Sequence, residues 1–351
     1  MKKYKKITSR GKRFLRHYDR RSTNEKYKKF SRCNIIKKRY ISKLPPKNPF
    51  TVPKHNIDIR GNIVFPRNIN KINQKIKDMQ MHAGLYKICV NHRHLDEIDN
   101  TSILILTVLI NEAMCNIKKF QKNKKLSPKK EIDERLSAIG YWEALCVNHI
   151  SNNSNLDYLK IASHCGKEID NGLHIKIVNF VLEKTELSMK YKDIFMDAVF
   201  EAMANAKEHA YDDSKDKKIW LMGAYNEKTK ETEIIFYDIG IGIFQSLEYS
   251  ETKFAKYLNK FANMFGKKKA LERLCTTNLS KYKKNKRRGL GMMVYKKLID
   301  GLSAERNAIL ELYSDSLCYS TNKGTHAIQG NIKGTLVRWI IGEKNERKTR
   351  I

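Results

Sequence analysis

The 351-residue chain has few prolines, no long hydrophobic run and no clustered cysteines. Its longest apolar run, Ile103 to Ile110, is too short to span a bilayer. The seven cysteines are scattered singly without paired spacing, which fits a reducing cytoplasm and argues against zinc or a disulfide framework. No apolar segment follows the charged N-terminus, so no signal peptide is visible. We therefore expect a cytoplasmic protein without a membrane partner.

Positive charge is concentrated at the N-terminus. The chain has 70 Lys and Arg against 37 Asp and Glu, and residues 1–47 hold 19 of the basic residues but only two acidic ones. Aromatic residues are interleaved with these Lys and Arg residues. An arm over 1–47 can therefore neutralise phosphates with its basic side chains and stack its aromatic rings on nucleobases. The arm therefore predicts nucleic-acid binding, and a solvated tail explains the same composition. Pro45, Pro46 and Pro49 mark its end.

The segment from residue 50 to 155 has the pattern of a small α/β module. His92-Arg-His94 is interpreted as a strand end or loop rather than a metal site. The predicted elements are strands over 62–65 and 85–90, helices over 68–81 and 102–120, and a third helix over 132–145 that is broken near Gly140.

Residues 193–211 predict an amphipathic helix with a functional face. Its buried stripe is expected to contain Phe195, Val199, Ala202, Met203, Ala206 and Ala210, whereas Glu201, Asn205, Glu208 and His209 share another face. Mg²⁺ prefers oxygen ligands and takes few of them from protein, so Asn205 is the predicted Mg²⁺ ligand. Glu201, one turn earlier, is the predicted catalytic base for attack on a γ-phosphate. A charged helix face without a ligand is the plain alternative.

Asp238 follows the predicted strand 232–237 and opens a glycine turn with Gly240 and Gly242. A carboxylate there can accept a hydrogen bond from an exocyclic amine such as that of adenine. The two glycines lack Cβ atoms, so the backbone can pass close under a base. A glycine turn that only connects two elements is the alternative.

Gly289, Leu290 and Gly291 open a predicted helix over 292–299, whose exposed N–H groups suit phosphates. The Lys-rich segment 244–288 is poorly periodic after Phe265 and predicts a mobile lid. The basic residues that could reach a γ-phosphate from it are Lys283, Lys284, Lys286, Arg287 and Arg288.

Three motifs together resemble the GHKL ATPase superfamily, which includes DNA gyrase B subunits, heat-shock chaperones, sensor histidine kinases, mismatch-repair ATPases and anti-sigma-factor serine kinases. They are Glu201 to Ala206, Asp238 to Ile243 and Arg287 to Met292. The resemblance covers roughly the last 160 residues. It implies Mg·ATP binding, with Asp238 as the main adenine contact and Arg288, Gly289, Leu290 and Gly291 in the pocket.

The resemblance also implies an α/β sandwich over 156–345 of the GHKL (Bergerat) type, with helices on one face of a mixed sheet. Strands are predicted over 308–313, 317–320 and 335–341, followed by a tail over 346–351. Gly334-Thr335 resembles the last motif of the family, in which a Thr hydroxyl supports the adenine site. Gly324-Thr325 competes for this role but is less well placed, because no strong strand follows it.

The module resembles, more faintly, a STAS domain, the partner of anti-sigma-factor kinases. In STAS domains a Ser or Thr at the start of the corresponding helix is phosphorylated, and Thr101 or Ser102 would occupy that place here. Either residue also serves as an ordinary helix N-cap. We expect an ATP-dependent regulatory switch that hydrolyses ATP and acts on a protein partner. The alternatives are a serine/threonine protein kinase of the anti-sigma-factor type and a nucleic-acid-associated protein with ATP as a conformational ligand. A sensor histidine kinase ranks last, because no phospho-acceptor His motif precedes the pocket.

Overall fold

The structure is a computed structural model that describes the chain between residues 54 and 344, with gaps. The predicted arm, 1–47, and the predicted tail, 346–351, lie outside the described residues. Contacts group the chain into two units, and all described residues except Lys54 and Lys87 belong to the second. Within the described part, no helix is both long and apolar enough to cross a membrane. The described stretches are 54–82, 87–115, 120–121, 129–145, 157–165, 170–209, 218–250, 253–277 and 291–344.

Short strands and helices make up the first part of the described chain. In order these are β1 (Lys54–Asp58), β2 (Gly61–Ile63), α1 (Ile69–His82), β3 (Lys87–Asn91), β4 (Leu95–Ile98), α2 (Asn100–Cys115), β5 (Phe120–Gln121), α3 (Lys130–Ala138) and α4 (Tyr141–Ala144). Strands β1, β3 and β5 form one sheet, and β2 pairs in parallel with β4. The α/β pattern predicted for this region is confirmed.

Local signals in this region predicted some boundaries well. Helix α1 lies within a residue of its prediction, and Gly140, with φ of 83°, separates α3 from α4 as expected. His92-Arg-His94 lies in the turn between β3 and β4, also as expected, and burial lowers the pKa of His92 to about 3. Helix α2 ends at Cys115 rather than at the predicted Phe120, which lies in β5.

The described residues of the second part of the chain form one five-stranded sheet and six α-helices. They are β6 (Tyr158–Cys165), α5 (Asn171–Thr185), α6 (Lys192–His209), β7 (Lys218–Asn226), β8 (Glu231–Asp238), α7 (Gly242–Tyr249), α8 (Lys253–Phe265), α9 (Lys267–Thr276), α10 (Gly291–Leu302), β9 (Arg306–Ser320) and β10 (Gly324–Glu343). The sheet order is β6-β7-β8-β10-β9, and every described pairing is antiparallel. The predicted mixed sheet is therefore wrong for these strands. Short turns join β7 to β8 and β9 to β10, and such turns connect only antiparallel neighbours.

Strands β9 and β10 form one long hairpin. The predicted strands 308–313 and 317–320 are a single strand, because the polar residues between them form an irregularity and do not end the pairing. Asp315 has a φ of 54° there, and the register of the hairpin shifts on either side of its partner, Ile332. The sequence predicted a break where the strand has a bulge.

One face of the sheet packs against α5, α6, α9 and α10 in a continuous hydrophobic core. Four residues of the predicted α6 stripe are buried in this core, namely Phe195, Val199, Ala202 and Met203. The side chains of Ala206 and Ala210 lie outside the description. At the centre, the Trp339 ring meets Phe236 and Tyr295 edge-on, with centroids 5.2 and 5.4 Å apart.

The other face of the sheet is covered by α2, which belongs to the first part of the chain and not to the segment 156–345. Strand β8 buries consecutive residues from Ile234 to Tyr237, and consecutive strand residues point to opposite faces. Helix α2 contacts β7 and β8, and its residues Asn100 and Thr101 donate hydrogen bonds to Glu233 on this second face. Residues 101–110 of α2 are all buried, as is typical of a helix that is apolar on every side.

The predicted lid is helical over much of its length. Helices α7, α8 and α9 together span most of residues 242–276, where the sequence predicted poor periodicity after Phe265. That expectation is wrong, because α9 buries Ala270, Leu271 and Cys275 in the same core as the sheet. The short apolar stripe follows three lysines and is interrupted by Glu272 and Arg273, so it is easily missed. Residues 278–290 lie outside the description.

A charged network joins the second face of the sheet to the first part of the chain. Arg338 donates from Nε to Glu233 and from Nη1 to Glu311, at 2.5 and 2.9 Å. Glu233 also accepts from Asn100 Nδ2 at 2.7 Å, and Asn100 in turn accepts from Arg135. The side chains of Glu233 and Glu311 are each 13% exposed. The single guanidinium of Arg338 therefore pairs with two poorly solvated carboxylates.

We predict that Arg338→Met strongly destabilises the fold. The change keeps the aliphatic stem but leaves two carboxylates without their cation, which typically costs about 3 kcal/mol or more at buried sites. The urea midpoint of unfolding measures the loss. Lys230→Met is the control, because Lys230 pairs with Glu227 at an exposed turn and its loss should leave the midpoint nearly unchanged. Equal midpoints for Arg338→Met and the wild type would contradict the structural role of the network.

Candidate functional site

Asp238 is the last residue of β8 and lies directly opposite Thr335 of β10 in the register of the sheet. The Gly240 N–H donates to Asp238 Oδ1 at 2.9 Å, and Thr335 donates to the same carboxylate from its backbone and its hydroxyl. The residue is only 7% exposed. The carboxylate is thus held in place by neutral donors at the end of a buried strand.

Burial raises the pKa of Asp238 to about 7, and the hydrogen bonds from Gly240 and Thr335 oppose that rise only in part. A buried carboxyl that ionises near neutral pH lowers the stability of the folded protein in its charged form. Groups with such shifts are concentrated at functional sites. Asp238 is therefore the strongest single indication of a site in the described residues.

Close backbone packing surrounds this carboxylate. Gly334 has a φ of 83°, and a Cβ atom there would lie 2.1 Å from the backbone oxygen of Asp238. Gly242 has a φ of 77°, and a Cβ there would lie 3.0 Å from Ser314 Oγ. The Ser314 hydroxyl donates to Gly334 O and accepts from Ile243 N, at 3.2 and 3.0 Å. Glycine is required at both turns, and Ser314 joins them although no sequence signal marked it.

Asn205 and Gly291 approach each other at the start of α10. A Cβ atom on Gly291 would lie 2.3 Å from Asn205 Nδ2, so only glycine allows this amide its position. Asn205 Nδ2 donates to the Tyr295 hydroxyl at 3.2 Å. Burial raises the pKa of Tyr295, and the charges of Glu201 and Asp238 act on it in the same direction. Tyr295 therefore lies among Glu201, Asn205 and Asp238, although no sequence signal marked it as a site residue.

Most of the predicted site residues that the structure describes gather around Asp238 and Tyr295. The register selects Gly334-Thr335 over Gly324-Thr325, because the latter pairs with Ser320 and Tyr319 beside the turn of the hairpin. The predicted residues outside the description are Arg288, Gly289, Leu290 and the basic residues Lys283, Lys284, Lys286 and Arg287. The side chains of Glu208 and His209 are also outside it.

Thr101 and Ser102 are buried, each with 1% exposure. Thr101 Oγ1 donates to Glu233 at 3.3 Å, and Ser102 N donates to Asp99 Oδ1 at 2.7 Å. The N-cap of α2 is therefore Asp99, so the expected capping role of Thr101 or Ser102 is wrong. In this packed arrangement neither hydroxyl is accessible to a kinase.

We predict that Gly334→Ala disrupts the site beyond the cost of its backbone conformation. Gly266→Ala is a matched control, because Gly266 has a φ of 87° and a Cβ there would meet nothing within 4 Å. The control should lose about 1–3 kcal/mol of stability, because its backbone, with φ of 87° and ψ of 154°, lies in a region that only glycine adopts readily. Gly334→Ala should lose more, because its Cβ overlaps the backbone oxygen of Asp238. Chemical denaturation compares the two, and equal losses would show that the close approach has no energetic weight.

We predict a pH signature of Asp238 in the stability of the ligand-free protein. Between the ordinary pKa of 3.8 and the raised value of about 7, the folded state holds a proton that the unfolded state has released. Stability from this group is therefore full at low pH and is lost as pH rises towards 7, by at most about 4 kcal/mol. Asp238→Asn removes the proton site, so its stability relative to the wild type should increase across this window.

Urea unfolding of both proteins at pH 5 and pH 8 measures the effect. Asp197→Asn, an exposed position on α6, controls for the general loss of a carboxyl and should follow the wild type. Parallel pH dependence of Asp238→Asn and the wild type would contradict the raised pKa.

The chain was also compared with known proteins. No protein-family model matches it, and no curated protein matches it. The function of the site around Asp238 is therefore inferred from the chemistry and placement of Glu201, Asn205, Asp238 and Thr335.

Proposed function

We propose that the protein binds Mg·ATP at the site around Asp238 and Tyr295, in the manner of GHKL-type proteins, and acts as an ATP-dependent regulatory switch that hydrolyses ATP. The observation that carries the proposal is the Asp238 carboxylate. It is buried at a strand end, in register with Thr335, and glycine turns allow the backbone to pass close beside it. This combination suits a planar base with an exocyclic amine.

Adenine recognition follows from the electrostatics of Asp238. Its carboxylate is poorly solvated, and neutral dipoles offset the cost of its charge only in part. An amine donor from a ligand would add a charge-assisted hydrogen bond to the ionised form. ATP binding should therefore favour the charged state of Asp238 and be stronger above its pKa than below it.

The phosphate end of ATP is assigned to α6 and the start of α10. Asn205 lies against Gly291, at the positive end of the α10 dipole, where N–H groups favour anions. An amide oxygen at this position can bind Mg²⁺ that is also held by phosphates and water. Glu201 is one turn away on α6 and close enough to influence Tyr295, so it is the candidate base for an attacking water.

The switch is proposed because β8 contributes to both faces of the sheet. Asp238 faces α6 and α10, whereas Glu233, an odd number of residues away, faces α2. Nucleotide binding at one end of the strand can therefore bias the contacts that Glu233 makes with Asn100 and Thr101. A phospho-acceptor for the alternative protein kinase function would have to be a residue other than the buried Thr101 and Ser102.

We expect Asp238→Asn to weaken ATP binding by about 1.5–3 kcal/mol, or roughly 10- to 150-fold in Kd. Wild-type affinity should also fall between pH 8 and pH 6, more steeply than that of the variant. Isothermal titration calorimetry with Mg·ATP measures both effects. Asp315→Asn is the control, since Asp315 lies at the β9 bulge and pairs with Lys267. Unchanged affinity in Asp238→Asn would refute the assigned adenine contact.

We expect Glu201→Gln to retain ATP binding and lose about 10²- to 10⁴-fold in turnover, as is typical for loss of a general base. Asn205→Ala should make ATP binding independent of Mg²⁺. Asp197→Asn changes an exposed residue of α6 one turn before Glu201, and it should leave both ATP binding and turnover unchanged. γ-Labelled ATP, followed as free phosphate and as protein-bound label, separates hydrolysis from phosphotransfer. Normal turnover by Glu201→Gln would contradict the mechanism.

A further inference from the structure

A histidine pair and an aspartate lie together in the first part of the chain, on elements that carry none of the residues assigned to ATP. His55 is in β1, and Asp78 and His82 are one turn apart near the end of α1. One nitrogen from each ring and one carboxylate oxygen all lie within 4.8 Å of one another. Among the described residues, this is the one group of three metal-capable side chains this close together.

The three side chains are already oriented towards each other. His55 Nε2 is 3.7 Å from Asp78 Oδ2, and His82 Nδ1 is 3.0 Å from Asp78 Oδ1. The two imidazole rings are stacked, with centroids 3.9 Å apart and planes inclined by 16°. Two ring nitrogens and a carboxylate oxygen, all of them possible metal ligands, therefore lie beside one another.

The spacing along the chain suits a metal for a local reason. Residues at i and i+4 lie on the same helix face, so Asp78 and His82 present their donors side by side. His82 Nδ1 is also 2.8 Å from the backbone oxygen of Asp78, and that carbonyl can only accept. A neutral His82 ring that donates there carries its lone pair on Nε2. Such a hydrogen bond from the second ring nitrogen is the usual way in which a metal-ligating histidine is oriented.

The donor set selects the class of metal. Two imidazoles and one carboxylate are typical ligands of Zn²⁺, with bonds of about 2.0–2.2 Å. The ligand atoms around a zinc ion lie closer together than these three donor atoms do here. Side-chain rotations must therefore move the donor atoms by about an ångström. These rotations are feasible because the side chains are 18–30% exposed and in contact with solvent. All-oxygen sites suit Mg²⁺ and Ca²⁺, whereas imidazoles favour transition metals.

We propose that His55, Asp78 and His82 bind a first-row transition metal ion, Zn²⁺ in particular, with a water in the remaining position. The metal would fasten β1 to the last turn of α1. The scattered cysteines argued against zinc, but that reasoning does not apply to a site made of histidine and aspartate. The sequence signal was weak, because His55 lies 23 residues before Asp78.

The test is titration of the metal-free full-length protein with zinc chloride in a calorimeter, for the wild type and four variants. We expect His55→Ala and His82→Ala each to weaken binding of one equivalent at least about 100-fold, since loss of an outer partner alone costs about 10- to 100-fold. Asp78→Asn should weaken it at least about tenfold while keeping the side-chain shape. His94→Ala is the matched control, an exposed histidine of the same region, and should bind as the wild type does.

Two further readouts make the result independent of any single variant. Zn²⁺ should raise the melting temperature of the wild type and His94→Ala, but not of His55→Ala, because a ligand that binds only the folded state stabilises it. Co²⁺ bound in the same site should give the visible absorption of a four-coordinate ion and lose it in Asp78→Asn. Zinc binding that is equal in the wild type and His55→Ala, or no binding at all, would overturn the proposal and leave an ion pair with a ring stack.

Discussion

Two carboxylates on opposite sides of strand β8 must both be accommodated inside the protein. Glu233 and Asp238 both lie in the buried sheet, but their environments differ in kind. Glu233 faces the guanidinium of Arg338 and the polar start of α2, so its charge is matched by a cation. Asp238 is held by backbone and hydroxyl donors, and burial raises its pKa to about 7. One carboxylate has a cationic partner within the fold, and the other is protonated below its raised pKa.

This difference divides structural from functional roles. A carboxylate with its own cation gains little from a ligand, because its desolvation is already offset. A carboxylate held by dipoles alone gains a strong partner when an amine donor arrives. Adenine bound to the ionised form would therefore lower the pKa of Asp238 and release its proton near neutral pH. By the same linkage, the pH range in which ionised Asp238 would bind adenine most strongly is the range in which Asp238 stabilises the ligand-free fold least.

The local parts of the site could be predicted from the sequence because each depends on a short-range requirement. Gly242, Gly291 and Gly334 are needed where the backbone turns or a neighbour approaches, and glycine marks such places directly. The order of strand, Asp238 and turn was visible in the same way. Ser314 and Tyr295 were not identified as site residues, because their partners are far away in sequence and no local pattern marks them.

The arrangement of layers was harder to predict, for a related reason. The continuous run from Ile234 to Tyr237 fits burial on both faces, whereas the resemblance implied a mixed sheet with helices on one face. Which element covers the second face depends on pairings between distant segments, such as Asn100 with Glu233. The polar break in β9 was likewise misjudged, since a bulge and a strand end have similar composition.

The same two adjacent strands carry both the site around Asp238 and the charged network that contacts α2. Strand β10 carries Thr335 beside Asp238 and Arg338 in the charged network, just as the paired strand β8 carries Asp238 and Glu233. In each strand the two residues are an odd number apart, so they face opposite sides of the sheet. In the proposed switch, a change in the twist or spacing of this one strand pair would alter both sites together. A ligand shifts such an equilibrium only by its difference in affinity for the two arrangements. The Asp238–Thr335 contact, which a bound base would have to share, is where that difference would arise.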